Sequence, residues 1–434
     1  MIRHIGIRRE DKNRWERRVP LIPEDVGRLV TNHGLQVTLQ PSTVRIFPDS
    51  AYEKVGARIA EDLSPCDLVM GVKEMPPGFF RPGGMYLFFS HTIKGQKYNL
   101  PMLRKLVDLK CSLLDYERIV DEQGRRLVFF GRYAGLAGMI DTFWALGRRL
   151  AAQGLATPFQ QVKMAHEYAD LPAVRQAFAE IAAELRQTGL PPAVRPLVVG
   201  FTGYGNVSKG AQEIFDLLPH RTITPAELLS GHAGEASHEL IKVVFREEHT
   251  VRPIDPGVAF DLSTFYAHPE RFASAFRPYL DHLTVLVNCI YWSPRAPRLI
   301  SLAEAQELWG QQRPARLQVI GDISCDIEGG IQFTLQETQP DNPVYVYDPD
   351  RHAITMGVEG HGPVVMAIAN LPCELSAESS RAFSAALMPF LERIGHLDPR
   401  AALDDCQIPL PLKRAVLLWN GTFPPEYAFM QNYL

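Results

Sequence analysis

The sequence predicts an α/β chain of two domains, each built on a mostly parallel sheet with helices on its faces. Three observations predict it. Short apolar runs alternate with helical patterns through residues 1–130, the β/α alternation of a parallel sheet. Residues 186–196 (RQTGLPPAVRP) break the chain with glycine and prolines. Directly after that break, PLVVGFTGYGNVSKGAQEIFDLL reads as a buried strand, a glycine-rich turn and a helix.

Element by element, HIGIRRE, LQVTLQPS, CDLVMGVK, GMYLFFSH and CSLLDYE read as strands of the first domain. Pro23–His33 and residues 100–109 carry helical spacing between them. Residues 134–153 form a long helix, small and apolar at first and basic at its end, suited to join two domains. LTVLVNCIYW and RLQVIGDISCD supply further strands of the second half, and a last helix spans 377–394. The expected division is 1–135 with about 375–434 as one domain and 136–374 as the other: two Rossmann-like domains with a cleft between them.

Composition sets limits on function. With 46% hydrophobic residues, 22% charged and a net charge of −4, the 434-residue chain is globular and too evenly charged for a nucleic-acid binder. Six scattered cysteines show no CxxC or Cys/His metal spacing, so no metal site is expected and a reducing cytoplasm is the expected compartment. The charged N-terminus has no apolar signal region, and no stretch reaches the ~18 apolar residues of a membrane span.

The glycine turn carries the first chemistry. Gly203 permits the tight turn from strand to helix. Gly205 leaves room for a pyrophosphate at the helix N-terminus, where the backbone N–H groups of Asn206, Val207 and Ser208 and the helix dipole attract an anion. Ser208 stands where the usual fingerprint has its third glycine. The acid that normally follows about 20 residues on, for the ribose hydroxyls, is absent between His220 and Ala226, and Thr224 marks the expected end of the second strand. A missing carboxylate leaves room for a 2′-phosphate, so the expectation leans to NADP(H) over NAD(H). Asn288 and Tyr291, at and after the end of LTVLVNCI, and Asp322, after LQVIG, stand at strand ends where ligand contacts collect.

The first half becomes legible through its motifs. IRREDKNRWERRVPLIP, DLVMGVKEMPP, YLFFSHTIKGQ, LLDYERIVDEQGRRLVFFGRYAGLAGMID, FTGYGNVSKGAQEIF, NCIYW and GDISCDIEGGIQF occur in this order. Together they resemble the lysine-ketoglutarate reductase domain of α-aminoadipic semialdehyde synthase over residues 5–427, and more weakly fungal lysine-forming saccharopine dehydrogenases, alanine dehydrogenase and transhydrogenase. The resemblance implies reductive condensation of L-lysine with 2-oxoglutarate to saccharopine, with a separate glutamate-forming saccharopine dehydrogenase as an expected pathway partner.

It also implies roles. Lys73 and His91, each after an apolar strand, match the acid–base pair. Arg18 matches the arginine that holds a substrate carboxylate, with Arg17 as the competing candidate. Glu74 and Glu117 match acids that tune that pair, and Arg126 and Phe130 match residues where the domains meet. Two other readings stay open: a related amino-acid or opine-type dehydrogenase with a different amine and keto acid, and a non-catalytic binding paralogue.

Overall fold

The computed structural model describes residues 1–234, 236–398 and 400–434. The chain divides into two units, Met1–Phe130 with Ser376–Leu434, and Gly131–Leu375.

The first unit holds a seven-stranded sheet in the order Val416–Leu418, Ser112–Asp115, Met85–Phe88, Leu68–Met70, His4–Ile7, Gln36–Leu39, Arg58–Ile59. All neighbours are parallel except Val416–Leu418, which caps one edge antiparallel to Ser112–Asp115. Every residue of Leu68–Met70, Met85–Phe88 and Ser112–Asp115 is buried, as expected for parallel strands covered on both faces. Helix Pro23–His33 begins on a proline, which needs no N–H partner in a first turn, and ends on Gly34 in the left-handed region (φ 62°). It buries Val26 and Leu29 in the core with Leu103 and Leu106 of Leu100–Asp108 and Leu387 and Leu391 of Ser376–Leu391.

The second unit holds an eight-stranded sheet in the order Ala353–Met356, Val344–Asp348, Val364–Met366, Val319–Asp322, Val285–Asn288, Val198–Thr202, Leu240–Phe245, His220–Thr222, and a separate antiparallel pair, Val251–Pro253 with Phe272–Ser274. The six from Val364–Met366 to His220–Thr222 are parallel, and the sheet's remaining two form an antiparallel edge. One face is covered by Gly131–Ala152, Leu171–Thr188 and Asn206–Phe215, which bury Leu136, Phe143, Phe178 and Phe215. The other face packs Ile241, Phe276, Leu286, Trp309 and Ile320. Asp170 caps Leu171–Thr188 by accepting the Ala173 N–H, and Gly189 ends that helix just where the break was read.

The α/β class with mostly parallel sheets holds. Three differences matter. The helix expected at 377–394 as the last is Ser376–Leu391, ending earlier because the chain tightens into a 3₁₀ turn at Ile394–His396, and a short helix, Leu410–Arg414, follows it. The edge pair 344–348 and 353–356 was not expected, nor was Leu240–Phe245. The last inserts itself between Val198–Thr202 and His220–Thr222.

Candidate active site

In the first unit, Leu68–Met70 and Met85–Phe88 are neighbours, and the chain stays paired past their ends: Gly71 N–H donates to Leu87 O (3.2 Å) and Phe89 N–H to Val72 O (3.1 Å). Lys73 and His91 therefore leave the same sheet edge on adjacent loops. His91 Nδ1 lies 2.6 Å from Glu74 Oε1, and Glu74 Oε2 accepts from Lys12 Nζ at 3.1 Å. Burial pushes the Glu74 carboxyl up, but the His91 hydrogen bond and the charges of His91 and Lys12 outweigh it and hold the group well below the usual range. Lys73 moves the other way: burial, and then the nearby Arg18 charge, lower its ammonium below the ordinary lysine value, against the opposing pull of Glu16.

Arg18 is buried and donates from Nε to Glu16 Oε1 (2.7 Å) and from Nη2 to Glu16 Oε2 (2.5 Å). Its guanidinium lies 4.2 Å from the centre of the Phe130 ring, which itself stacks on Phe383 at 4.5 Å. The two-pronged face of Arg18 is thus filled by a carboxylate of the chain, which the motif match did not foresee. Arg17 donates to Val44 O instead. Glu117 accepts from Arg126 Nη2 at 2.6 Å, and Arg126 is 48% exposed. Arg18, His91 and Arg126 each have an acid partner, Glu16, Glu74 and Glu117. That arrangement keeps the charges of a polar site balanced until an anionic ligand competes for them.

In the second unit the glycine turn has the anticipated form. Gly203 is left-handed (φ 81°), and a side chain at Gly205 would meet nothing within 4 Å, so the approach to the first turn of Asn206–Phe215 is open. A cavity of about 350 Å³ lies over it, lined by Gly203, Tyr204, Gly205, Asn288, Tyr291 and Trp292 among others. These features fit a dinucleotide. Ser208 is buried and accepts from Gln212 Nε2 (2.9 Å). Close helix packing, the usual task of the third glycine, falls to other positions: a Cβ on Gly210 would stand 2.1 Å from Arg132 O, and one on Gly135 1.9 Å from Val207 O.

Two cofactor assignments change. Asp322 does not line the cavity. It is buried, accepts from Thr334 Oγ1 (2.6 Å) and Asn288 Nδ2 (2.9 Å), and its carboxyl is pushed up by burial to about 6. Its place is behind Asn288, which it orients. Thr224 is not the end of the strand beside the glycine turn. The strand His220–Thr222 stops earlier, lies one place further out, and Thr224 caps Pro225–Leu229 in a reciprocal pair with Glu227. At about 4.8 Å per strand, two strand spacings put it roughly 10 Å from Val198–Thr202. The neighbouring strand end is Phe245: it pairs with Thr202, and Gly203 N–H donates to Phe245 O at 2.9 Å. Arg246 and Glu247 follow, level with the glycine turn. Arg246 lies over the Tyr204 ring (5.3 Å), and Glu247 Oε1 accepts from Tyr266 OH (2.5 Å). Sequence spacing missed both, because it assumed that consecutive strands are neighbours.

The class that this fold defines is that of chains with two α/β units, each on a mostly parallel sheet. Residues 6–137 match the family model of the alanine dehydrogenase/PNT N-terminal domain. L-alanine dehydrogenase superposes over 99% of this chain and 100% of its own with TM-score 0.62 at 17% identity, and a transhydrogenase from Sinorhizobium meliloti over 97% and 100% with TM-score 0.55 at 15%. These likenesses speak to the fold alone. In sequence, the chain is 37% identical to α-aminoadipic semialdehyde synthase of Arabidopsis thaliana over 98% of its length, and 37% identical to the mitochondrial enzyme of that name from Bos taurus over 99%. It spans 41% and 47% of those two proteins, less than half of each. A saccharopine dehydrogenase [NAD(+), L-lysine-forming] from Emericella nidulans is 29% identical over 89% of this chain and 91% of its own. The resemblance read from the motifs is borne out: the chain is similar in sequence to α-aminoadipic semialdehyde synthases and to a lysine-forming saccharopine dehydrogenase. Among the described residues no helix is long and apolar enough to cross a membrane.

Proposed function

We propose that the chain is a saccharopine-forming reductase, joining the ε-amine of L-lysine to the keto carbon of 2-oxoglutarate. The observation that carries this reading is the pair Lys73 and His91 on adjacent strand ends, with Glu74 on Nδ1 of the histidine. The amine of the substrate must lose a proton to attack. Lys73, which burial and the Arg18 charge lower from the ordinary lysine value, is the group placed to accept it. The carbinolamine then loses its hydroxyl as water, which needs a proton. Glu74 on Nδ1 leaves Nε2 of His91 to deliver that proton and fixes the ring for the transfer. A nicotinamide cofactor, when bound at the glycine turn, would supply a hydride for reduction of the imine to the secondary amine.

Arg126, more exposed than Arg18 and held through Nη2 by Glu117, is the better receiver of a substrate carboxylate, and Arg18 braces the site from beneath. For the cofactor, Gly203, Gly205 and the first-turn N–H groups of Asn206–Phe215 would hold the pyrophosphate, and Asn288 and Tyr291 line the pocket beyond it. We retain NADP(H) over NAD(H) on a new ground. Glu247 lines the cavity and supplies the acid that spacing found missing, so the preference rests on Arg246 alone, level with the glycine turn, where a guanidinium suits a 2′-phosphate; the fungal relative is NAD(+)-linked by name. The six free cysteines accord with a reducing compartment, the cytoplasm as first read. A glutamate-forming dehydrogenase would consume the product.

The deciding experiment follows oxidation of NADPH and NADH with lysine plus 2-oxoglutarate, against ammonia or alanine plus pyruvate, and identifies the product by mass. Turnover with lysine and 2-oxoglutarate supports the reading. Turnover only with the other pairs replaces it by an alanine-dehydrogenase-like activity.

A further inference from the structure

Each of the two loops that deliver Lys73 and His91 is tied to a buried carboxylate that the motif match never singled out. Glu10 accepts the backbone N–H of Val72 through Oε1 (2.6 Å) and that of Lys73 through Oε2 (3.1 Å). Asp115 accepts the Ser90 N–H (3.0 Å) and the Ser90 hydroxyl (2.5 Å) on Oδ2, and the Glu117 N–H (2.8 Å) on Oδ1. Both acids are buried. Both spend their oxygens on backbone that carries proposed site residues.

The His91 loop needs such a tether. His91 has φ 47°, in the left-handed region that a residue with a Cβ enters only when its surroundings impose it. The imposing groups are visible. Asp115 holds the residue before it, Ser90 and Thr92 join hydroxyls at 2.8 Å, and Asn99 Nδ2 donates to the carbonyls of Ser90 (3.0 Å) and His91 (3.3 Å). The Lys73 loop is fixed in the same manner from the opposite side of the strand order. Glu10 lies beyond the end of His4–Ile7, the neighbour of Leu68–Met70 on the side away from Met85–Phe88.

We propose that Glu10 and Asp115 are positioning residues for the reaction, twin buried carboxylates that lock the Lys73 and His91 loops in register from either side. The proposal rests on the acid–base reading of Lys73 and His91. A carboxylate suits the task because both its oxygens accept, whereas an amide has one oxygen and an NH₂ that would meet an N–H head-on. Burial, with the neighbouring Glu16 and Glu117 charges respectively, raises both carboxyls from their ordinary values, the cost of placing acceptors there.

The test uses Glu10→Gln and Asp115→Asn in the full chain, nearly unchanged in volume. With saturating lysine, 2-oxoglutarate and NADPH, kcat should fall about 30- to 100-fold in each, the scale of a misplaced reacting group, while the NADPH dissociation constant stays within about twofold. In Asp115→Asn the imidazole resonances of His91, assigned by their loss in His91→Gln, should also move. Should Asp115→Asn fail to fold, Ser90→Ala removes the two hydroxyl bonds, to Asp115 and Thr92, and leaves the Ser90 N–H tether, and a fall of about fivefold in kcat with moved His91 resonances is expected. Should Glu10→Gln fail to fold, Glu10→Asp keeps the charge and shortens the reach, and should lose about tenfold. A kcat within threefold of the parent in the folded variants, or unmoved His91 resonances, overturns the proposal. Absence of turnover in the parent chain overturns the reaction instead, and the resonance measurement still decides the tether of His91.

Discussion

The loops at the carboxyl ends of the two sheets are built on opposite plans. In the first unit the loops after Leu68–Met70 and Met85–Phe88 carry side chains, Lys73, Glu74 and His91, and their backbone N–H groups are consumed by Glu10 and Asp115. In the second unit the loop after Val198–Thr202 flanks Tyr204 with bare backbone at Gly203 and Gly205, and its value lies in that backbone and in the N–H groups of the helix behind it. One plan suits proton transfer, which needs titratable atoms held still. The other suits an anion, which needs donors and space.

The sharpest break of this contrast is chemical. Lys73→Met should lower kcat by about 10²-fold or more with little change in melting temperature, and His91→Gln should lower it and flatten one limb of the pH–rate profile. Steady-state rates at several pH values check both, and parent-like turnover would strip the first unit of its role. In the second unit the matching break is steric. Gly210→Val forces a side chain against Arg132 O, with a cost of about 1–3 kcal/mol or more, read as a lower melting temperature and a weaker cofactor dissociation constant.

Next comes the cofactor. Arg246→Ala should reduce kcat/KM for NADPH by about 1–3 kcal/mol relative to NADH, the scale of a hydrogen bond to a charged group. Thr224→Glu should leave the ratio unmoved, because that residue caps a helix one strand away. A shift with Thr224→Glu and none with Arg246→Ala would restore the assignment made from spacing.

The smallest effect concerns a second kind of buried acid. Asp141 on Gly131–Ala152 accepts the Ala165 N–H (2.9 Å), and Glu374 lies against it and bonds His166 Nδ1 (3.0 Å). Burial raises both groups; the Glu374 charge and hydrogen bond raise Asp141 further, whereas the Asp141 hydrogen bond draws Glu374 part of the way back. A carboxyl raised on folding binds its proton more tightly in the native state. Its contribution is therefore complete below the unfolded value, near 4, and is lost as pH rises through the raised one. The parent should lose stability between about pH 4 and 8 from this pair, and Asp141→Asn should remove on the order of 1 kcal/mol of that slope. Urea melts at pH 5 and pH 8 measure it. An unchanged slope would mean that the pair carries no shared proton.

The α/β class, the strands that end beside Lys73 and His91, the long helix and the glycine turn were all legible in the sequence. Each rests on local spacing: fully buried parallel strands read as apolar runs, helices repeat every 3.6 residues, and a tight strand-to-helix turn demands glycine. The motif order then supplied the site residues by resemblance. Only the tertiary structure decided which strands are neighbours. The order that sets Leu240–Phe245 beside Val198–Thr202 and moves His220–Thr222 to the edge transferred the cofactor-reading position from Thr224 to Arg246. It also decided the partners of charge: Glu16 for Arg18 is local, but Glu10 for the Lys73 loop and Asp115 for the His91 loop span 63 and 25 residues. Such pairings depend on where separate segments meet in the folded core, and no periodicity along the chain encodes that meeting.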